Sequence, residues 1–235
     1  MNYQHWNSIA DNFENEACDI TSSHRGGQLA DLVNGLQLPH SKTLLVDLGC
    51  GIGTFIRAFG RRFDEIVGVD FAPRLVARAR KRCRQMTNVE WLTMSLHHAP
   101  MAIGRRADLV ACMNVITSPS KTRRDLMFTS IAAITKPGGL ALVIVPSVES
   151  AEMVRTLTRG HRRAAATPPD GVFRRGNARQ KHFSKAELED ALAQRGFAPK
   201  RVVRISYRWS EEGLSKPKGA VDLPWDWACI AQRAA

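Results

Sequence analysis

The chain has 235 residues, 44% of them hydrophobic, which is enough to bury the core of one large domain or two small ones. This composition excludes disorder as the default state. Lys and Arg number 34 against 22 Asp and Glu, so the net charge is +12. A positive charge suits an anionic partner but does not identify one.

Five cysteines, at positions 18, 50, 83, 112 and 229, show no C-x-x-C or other metal-ligand spacing. We therefore expect reduced thiols in a cytoplasmic protein, and we predict no metal site. The N-terminus has no signal pattern, and the longest aliphatic run, residues 140–145, is far too short to span a bilayer. We expect no membrane partner, and the oligomeric state is open.

Short apolar runs alternate with helical patterns over the first two thirds of the chain. Pro73 stands in the first turn of one of these helices, where proline is tolerated. Five strands that alternate with helices predict a doubly wound, parallel α/β sheet with helices on both faces. The predicted strands are 44–46, 66–69, 89–92, 109–113 and 140–145, and the clearest helix is 121–135.

The last third begins with a helix. Ser184 and Glu187 form a capping box that predicts a helix through Gln194, and Gly196 stands where such a helix ends. Two strands follow, at 201–208 and 226–232, too close for a parallel crossover. We expect them to pair as an antiparallel hairpin at the edge of the sheet.

No internal repeat or low-complexity linker divides the chain, so a single domain is the simplest organisation. The predicted segments are a helical N-terminal cap (1–40), a ligand-binding core (41–146), an inserted, loop-rich basic segment (147–183), and the last helix with the edge hairpin (184–235).

A glycine-rich loop follows the first predicted strand, in the segment VDLGCGIGTF. Asp47 ends the strand, and Gly49, Gly51 and Gly53 follow. Glycines permit a tight turn and close approach of a ligand to the backbone, and the next helix presents unpaired N–H groups. Thr54 stands where the dinucleotide fingerprint G-x-G-x-x-G requires glycine. The carboxylate before the loop suits a cationic ligand better than a pyrophosphate.

The second strand ends in Asp70 and Phe71. A carboxylate about 20 residues beyond a glycine loop, at the end of the adjacent strand, is placed to accept hydrogen bonds from both hydroxyls of a ribose. The neighbouring aromatic ring is suited to cover an adenine face. Asn114, at the end of the fourth strand, faces the crevice where open parallel sheets bind ligands.

With these motifs, residues 4–146 resemble the class I S-adenosylmethionine-dependent methyltransferases of the small-molecule type. VDLGCGIGTF is similar to their first motif and VGVDFAP to their second. NVEWLTMSLHHAP, DLVACMNVI and ITKPGGLALVIVP are similar to the third, the fourth and the strand after it. The resemblance implies a Rossmann-like seven-stranded sheet, mostly parallel with an antiparallel last strand.

The resemblance also implies S-adenosylmethionine as cofactor, with S-adenosylhomocysteine as product. It puts the three loop glycines beneath the methionine part, Asp70 on the ribose, and the third motif beside the adenine. Ser95 stands where the family usually has Asp or Glu, so the charge assistance to the adenine amino group is missing. The segment HWNSIADNFEN is similar to an opening helix whose aromatic residues fold over the cofactor. The predicted cofactor-binding residues are Trp6, Asp47, Gly49, Cys50, Gly51, Gly53, Asp70, Phe71, Ser95, Leu96 and Asn114.

Several of these residues also have purely structural explanations. Asp70 suits a helix N-terminus, Asn114 a turn, and Trp6 with Phe13 an amphipathic core face. The segment PWDW (224–227) is predicted to pack at the sheet edge, with substrate contact as the alternative. The basic helix after Asp70 is either a solvated face or part of a path for phosphates.

The reaction predicted is in-line methyl transfer to a small-molecule acceptor, for which no dedicated base is strictly required. The catalytic residue is unknown; His182, beside the capping box, is the candidate. Residues 155–185 carry nine Lys and Arg against Asp170 alone, and Arg174 with Arg175 are predicted to bind an anionic acceptor. The alternatives are an RNA methyltransferase that uses this basic segment, and a non-catalytic protein that binds the cofactor. The methylated atom is open.

Overall fold

The computed structural model describes residues 3–16, 20–23, 27–39, 42–103, 107–159, 167–175 and 178–235. Four short helices precede the sheet: α1 (Tyr3–Ser8), α2 (Phe13–Glu16), α3 (Ile20–Ser23) and α4 (Gln28–Asn34). The alternating part follows with β1 (Leu44–Leu48), α5 (Thr54–Phe59), β2 (Glu65–Asp70), α6 (Pro73–Arg82), β3 (Val89–Thr93), α7 (Ala99–Ile103), β4 (Ala107–Met113), α8 (Lys121–Ile134) and β5 (Thr135–Pro146). The remaining elements are α9 (Val148–Arg159), β6 (Val172–Arg175), β7 (Ala178–Lys181), α10 (Lys185–Ala193), β8 (Phe197–Ser206) and β9 (Trp225–Arg233).

Seven strands form one sheet in the order β3-β2-β1-β4-β5-β9-β8. The first five are parallel, whereas β9 runs antiparallel to both of its neighbours. The predicted α/β fold class, with an antiparallel last strand, is therefore confirmed. The predicted hairpin is also confirmed, since β8 and β9 pair from Phe197↔Arg233 to Ser206↔Trp225.

The central strands are buried on both faces. All five residues of β1 are buried, and alternate residues point to opposite sides. Val46 packs in the core with Phe128 and Ile131 of α8, whereas Leu45 packs on the other face with Ile56 of α5. The sheet is thus covered by helices on both faces, as its continuous apolar strands predict.

The helix α10 begins and ends at the predicted signals. Ser184 Oγ accepts a hydrogen bond from the backbone N–H of Glu187 (3.1 Å). The Glu187 carboxylate does not complete the predicted capping box, because it forms an ion pair with Lys181 Nζ instead (2.6 Å). Gly196 follows the helix with a positive φ of 78°, the left-handed conformation that glycine adopts without strain.

The prediction that residues 147–183 are loop-rich is wrong for the described part of this segment. The helix α9 occupies its first third, and β6 pairs with β7 as a hairpin from Val172↔Lys181 to Arg175↔Ala178. Phe173 and Phe183 are buried, so this segment packs against the domain. The many basic residues of this segment made it resemble a loop, although its few apolar residues are enough to form α9, β6 and β7. The division of the chain into four segments stays a prediction.

The four described cysteines are buried and form no disulfide with one another, whereas Cys18 lies outside the described residues. In the described part of the chain, no group of three or more His, Cys, Asp or Glu is placed to hold a metal ion. None of the described helices combines the length and hydropathy needed to cross a bilayer.

Candidate functional site

A cavity of about 740 Å³ opens at the carboxyl ends of the central strands. Its walls come from the glycine loop, from the ends of β2, β3 and β4, from α8, and from the N-terminal helices. Ten of the eleven predicted cofactor-binding residues line it: Trp6, Asp47, Gly49, Cys50, Gly51, Asp70, Phe71, Ser95, Leu96 and Asn114. The eleventh, Gly53, is the N-cap residue of α5 and does not line the cavity.

The glycine loop is held in a conformation that requires glycine. Gly49, Gly51 and Gly53 all have positive φ, of 78°, 52° and 75°. A Cβ atom on Gly49 would lie 2.2 Å from Cγ2 of Val115, and one on Gly51 would lie 3.2 Å from the Phe13 ring. The loop therefore leaves no room for side chains where it meets its neighbours.

The carboxylate of Asp70 joins the loop to the end of β2. Its Oδ2 accepts a hydrogen bond from the N–H of Gly51 (3.0 Å), and its Oδ1 accepts one from the N–H of Ala72 (2.9 Å). Burial raises the pKa of this carboxyl group, although the backbone amides act in the opposite direction. Each carboxylate oxygen accepts more than one hydrogen bond, so Asp70 keeps acceptor capacity for ligand hydroxyls.

Asp47 and Cys50 line the same end of the cavity and are both buried. Burial raises the pKa of the Cys50 thiol well above its usual range, and the negative charges of Asp70 and Asp47 raise it further. Burial therefore favours the neutral form of this thiol over the nucleophilic thiolate.

Two aromatic side chains of the N-terminal helices cover the glycine loop. The ring centroids of Trp6 and Phe13 are 6.1 Å apart, and both rings pack against the buried residues Ala10, Ile52 and Leu75. The core-packing explanation and the cavity-lining explanation therefore both apply to these rings.

The basic helix α6 holds this N-terminal part in place. Arg74 pairs with Asp11 (2.5 Å), whereas Arg78 and Arg82 both pair with Glu14 (2.7 and 2.6 Å). These ion pairs neutralise three of the cations that the sequence offered as a phosphate path or a solvated face. The acidic residues of the predicted N-terminal cap, Asp11 and Glu14, were the sequence feature that could have indicated this pairing.

At the other side of the loop, Ser95 and Leu96 begin a short helical turn, Leu96–His98. Ser95 Oγ lies 2.9 Å from Nδ1 of His97, which also lines the cavity. Phe71 lies in the same wall and is half-buried. This end thus combines an aromatic ring with a hydroxyl group, as the predicted adenine contacts require.

Asn114 ends β4 with a positive φ of 56°. Its Nδ2 donates a hydrogen bond to Oδ2 of Asp226 (2.7 Å), and its buried Oδ1 has no hydrogen-bond partner among the described residues. Asp226 is 2% exposed, and burial raises its pKa to about 7. The sequence missed Asp226, although a carboxylate between two tryptophans in PWDW was the available signal.

The opposite end of the cavity is lined by residues that the sequence did not single out. Arg123 of α8 and Arg179 of β7 are exposed at this end, beside Leu126 and Met127. Within the described part of the chain, neither guanidinium group forms a hydrogen bond or an ion pair. Ser118 and Ser120 add hydroxyl groups to the same wall. This end can therefore hold an anionic group next to an apolar one.

Two predicted residues, His182 and Arg174, do not line this cavity. His182 Nδ1 donates to the carbonyl oxygen of Ser147 (3.2 Å), and its ring lies 4.7 Å from that of Phe173. Arg174 is exposed on β6 and does not belong to the cavity wall, and the side chain of Arg175 lies outside the described part.

Comparison with known proteins gives one family match and several partial relatives. Residues 45–139 match the family described as "Methyltransferase domain". Carboxy-S-adenosyl-L-methionine synthase of Desulforapulum autotrophicum is 29% identical over 112 residues, which cover 46% of this chain and 45% of that protein. The 2-phytyl-1,4-naphtoquinone methyltransferase of Thermosynechococcus vestitus is 32% identical over 118 residues, or 48% and 49% of the two chains. The chain thus spans about half the length of these curated relatives.

Solved structures agree over nearly the whole fold. The N-methyltransferase NodS of Bradyrhizobium japonicum, in complex with S-adenosyl-L-homocysteine, has a TM-score of 0.66 at 12% identity and covers 97% of this chain and 100% of its own. Magnesium protoporphyrin IX methyltransferase of Synechocystis has a TM-score of 0.60 at 16% identity, with 97% and 99% covered.

Residues 45–139 thus match a methyltransferase domain, and the fold is that of solved methyltransferases, as the resemblance to the class I type predicted. Both of these solved structures hold S-adenosyl-L-homocysteine, the product that the resemblance implies for the present chain.

Proposed function

We propose that the protein transfers the sulfonium methyl group of S-adenosylmethionine to a nucleophile on an anionic small molecule. The observation that carries this proposal is the cavity with two unlike ends. Its inner end has the glycine loop and two buried carboxylates, Asp47 and Asp70, whereas its outer end has two arginines beside apolar side chains. A cationic donor and an anionic acceptor fit these two ends by charge.

The inner end fits the donor residue by residue. The left-handed glycines let a ligand lie directly on the backbone, and Asp70 keeps acceptor capacity for the two ribose hydroxyls. Phe71 offers a ring to the adenine, whereas Ser95 and the backbone N–H of Leu96 offer hydrogen bonds to its edge. The bound donor supplies an electrophilic methyl group.

The outer end fits an acceptor with an anionic group and an apolar body. Arg123 and Arg179 provide charge-assisted hydrogen bonds to a carboxylate or phosphate. Leu126 and Met127 provide apolar contact beside them. Arg174 and Arg175, which belong to the same basic segment as Arg179, are the second candidates for this contact.

Catalysis in this proposal comes from position and from exclusion of water. The rings of Trp6 and Phe13 cover the glycine loop, so the reacting atoms are held away from bulk solvent. Bringing the nucleophile in line with the methyl carbon is the main task of such a site. An amine that arrives unprotonated needs no general base, and His182 has no part in this reaction.

A cytoplasmic location accompanies the proposal. Burial raises the pKa of the Cys50, Cys83, Cys112 and Cys229 thiols, which favours their neutral, protonated form. Buried reduced thiols fit the reducing environment of the cytoplasm.

The test is transfer of labelled methyl from S-adenosylmethionine into a cell extract, which is then divided into small-molecule, RNA and protein fractions. We expect label in the small-molecule fraction, in a product retained by an anion exchanger. Label in nuclease-sensitive material would contradict the proposal and favour an RNA acceptor. The Asp70→Asn variant is the control, since it weakens the ribose contact and should strongly reduce the label.

A further inference from the structure

A buried hydrogen bond connects the cavity to the last strand of the sheet. Asp226 lies on β9, opposite Pro146 of β5, and is 2% exposed. Its Oδ2 accepts a hydrogen bond from Nδ2 of Asn114, at the end of β4 (2.7 Å). Asp226 itself does not line the cavity, whereas Asn114 does.

This contact determines which way the Asn114 amide faces. An ionised carboxylate only accepts hydrogen bonds, so the amide must turn its NH₂ group toward Asp226 and its oxygen away from it. That oxygen, Oδ1, is buried and has no hydrogen-bond partner among the described residues. A buried acceptor of this kind costs free energy unless a ligand satisfies it.

The position of Asn114 indicates which ligand group does so. Val115, the next residue, is the one that a Cβ atom on Gly49 would strike at 2.2 Å. Asn114 therefore lies at the glycine-loop end of the cavity, which Asp47 also lines. In the proposed complex, this end receives the amino-acid part of the donor, whose ammonium group is a strong hydrogen-bond donor.

We propose that Asp226 is a positioning residue for the donor: it holds the Asn114 amide so that Oδ1 accepts a hydrogen bond from the ammonium group of S-adenosylmethionine. This inference rests on the proposed function and adds to it a residue from the far end of the chain. Asp226 acts through Asn114 and contacts no ligand itself.

The groups around Asp226 make its charge sensitive to pH. The Tyr207 hydroxyl, after β8, donates to Oε1 of Glu212 (2.8 Å), and its interaction with Asp226 lowers the pKa of that carboxyl group. The Glu212 charge and, above all, burial raise the pKa of Asp226, to about 7. Two further charged groups contact the tryptophans on either side of Asp226. Arg204 Cζ lies 4.2 Å from the centroid of the Trp225 ring, and Glu149 accepts a hydrogen bond from Trp227 Nε1 (2.8 Å).

A protonated Asp226 reverses the preference of the amide. Its hydroxyl can donate to Asn114 Oδ1, which turns the NH₂ group toward the cavity and toward the ammonium group of the ligand. Donor affinity is therefore expected to be full at pH 8 and to fall as the pH decreases through about 7.

The experiment is isothermal calorimetry with two ligands, S-adenosylhomocysteine and 5′-methylthioadenosine, between pH 6 and pH 8. The second ligand lacks the amino-acid part, so its affinity reports the adenine and ribose contacts, which include the wall at Ser95 and His97. It does not report the contact with Asn114. We expect Asn114→Ala to weaken S-adenosylhomocysteine binding about tenfold at pH 8, the loss of one charge-assisted hydrogen bond, without change for methylthioadenosine. Asn88→Ala is the matched control, since Asn88 binds the carbonyl oxygen of Phe63 outside the cavity.

Two substitutions at Asp226 separate positioning from packing. Asp226→Leu removes the carboxylate that accepts from Asn114. We expect it to weaken S-adenosylhomocysteine binding by most of the tenfold factor expected for Asn114→Ala. Asp226→Asn keeps a carbonyl oxygen for Asn114 but cannot titrate, so we expect near-normal affinity at pH 8 and no pH dependence between 6 and 8.

Three outcomes would refute the inference alone. The first is normal S-adenosylhomocysteine binding by Asn114→Ala, even if methyl transfer falls, because Oδ1 would then serve the acceptor. The second is an equal loss for both ligands, and the third is an unaltered pH dependence in Asp226→Asn. Absence of S-adenosylhomocysteine binding by the unchanged protein would refute the proposed function as well.

Discussion

The two ends of the cavity are built from different parts of the chain. The inner end is built around the backbone of one short stretch, 47–71, in which the glycine loop hydrogen-bonds to the end of β2 through Val69 and Asp70. The outer end is made of side chains from α8 and β7, elements far apart in the sequence. A site made of buried backbone couples binding to folding, whereas exposed side chains change recognition alone. Substitutions at the two ends should therefore differ in kind.

The largest effect is expected at Gly49. A Gly49→Ala substitution adds a Cβ atom 2.2 Å from Val115 Cγ2 at a positive φ of 78°. We expect a loss of about 3 kcal/mol in the free energy of unfolding, from the left-handed conformation and the overpacking together. Denaturant unfolding measures it. Gly138→Ala is the matched control, since Gly138 has a φ of 74° with nothing within 4 Å. Equal losses for the two variants would show that the contact with Val115 is unimportant.

Asp70→Asn should give the largest loss of binding. The amide keeps the shape of the carboxylate but has one acceptor oxygen in place of two, for two backbone N–H groups and two ribose hydroxyls. We expect S-adenosylhomocysteine affinity to fall about 100-fold, measured by calorimetry. Asp64→Asn is the control: Asp64 accepts from Thr43 (2.8 Å) at the amino end of β1. A similar loss in both variants would mean that global stability, not the ribose contact, governs affinity.

The same contrast explains what the sequence could predict. The inner end was predictable because the strand, glycine loop and carboxylate follow one another within 47–71, and their spacing fixes their geometry. Asn114 could be predicted because β4 neighbours β1 in such sheets. The antiparallel hairpin followed from the short connection between its strands.

The remaining features depend on contacts between distant segments. Asp226 meets Asn114 only because β9 inserts between β5 and β8. Arg179 reaches the cavity because Phe173 and Phe183 anchor a compact hairpin in a segment whose composition resembles a loop. The arginines of α6 find acidic partners on helices whose packing no local pattern specifies. The charge of an arginine did not show whether it would line the cavity, as Arg179 does, or form an ion pair, as the arginines of α6 do.

Charge reversal at the outer end should affect the acceptor alone. We expect Arg179→Glu or Arg123→Glu to raise KM for the acceptor about tenfold, since each removes a charge-assisted hydrogen bond and adds repulsion. The affinity for S-adenosylhomocysteine should stay the same. Arg174→Glu is the control, because Arg174 is an exposed neighbour in the same basic segment outside the cavity wall. A larger effect of Arg174→Glu than of Arg179→Glu would move the acceptor contact to β6.

The smallest effect, and the only expected gain, concerns Ser95→Asp. A carboxylate at this position accepts from the adenine amino group with charge assistance, but it must also be partly desolvated beside His97. The two contributions largely cancel, so we expect affinity for S-adenosylhomocysteine to rise only about threefold in calorimetry. Ser118→Asp adds the same charge at the outer end and should give no gain. If both variants gained equally, the improvement would not come from contact with adenine. A gain at Ser95 alone, seen also with methylthioadenosine, would place the adenine edge beside this residue.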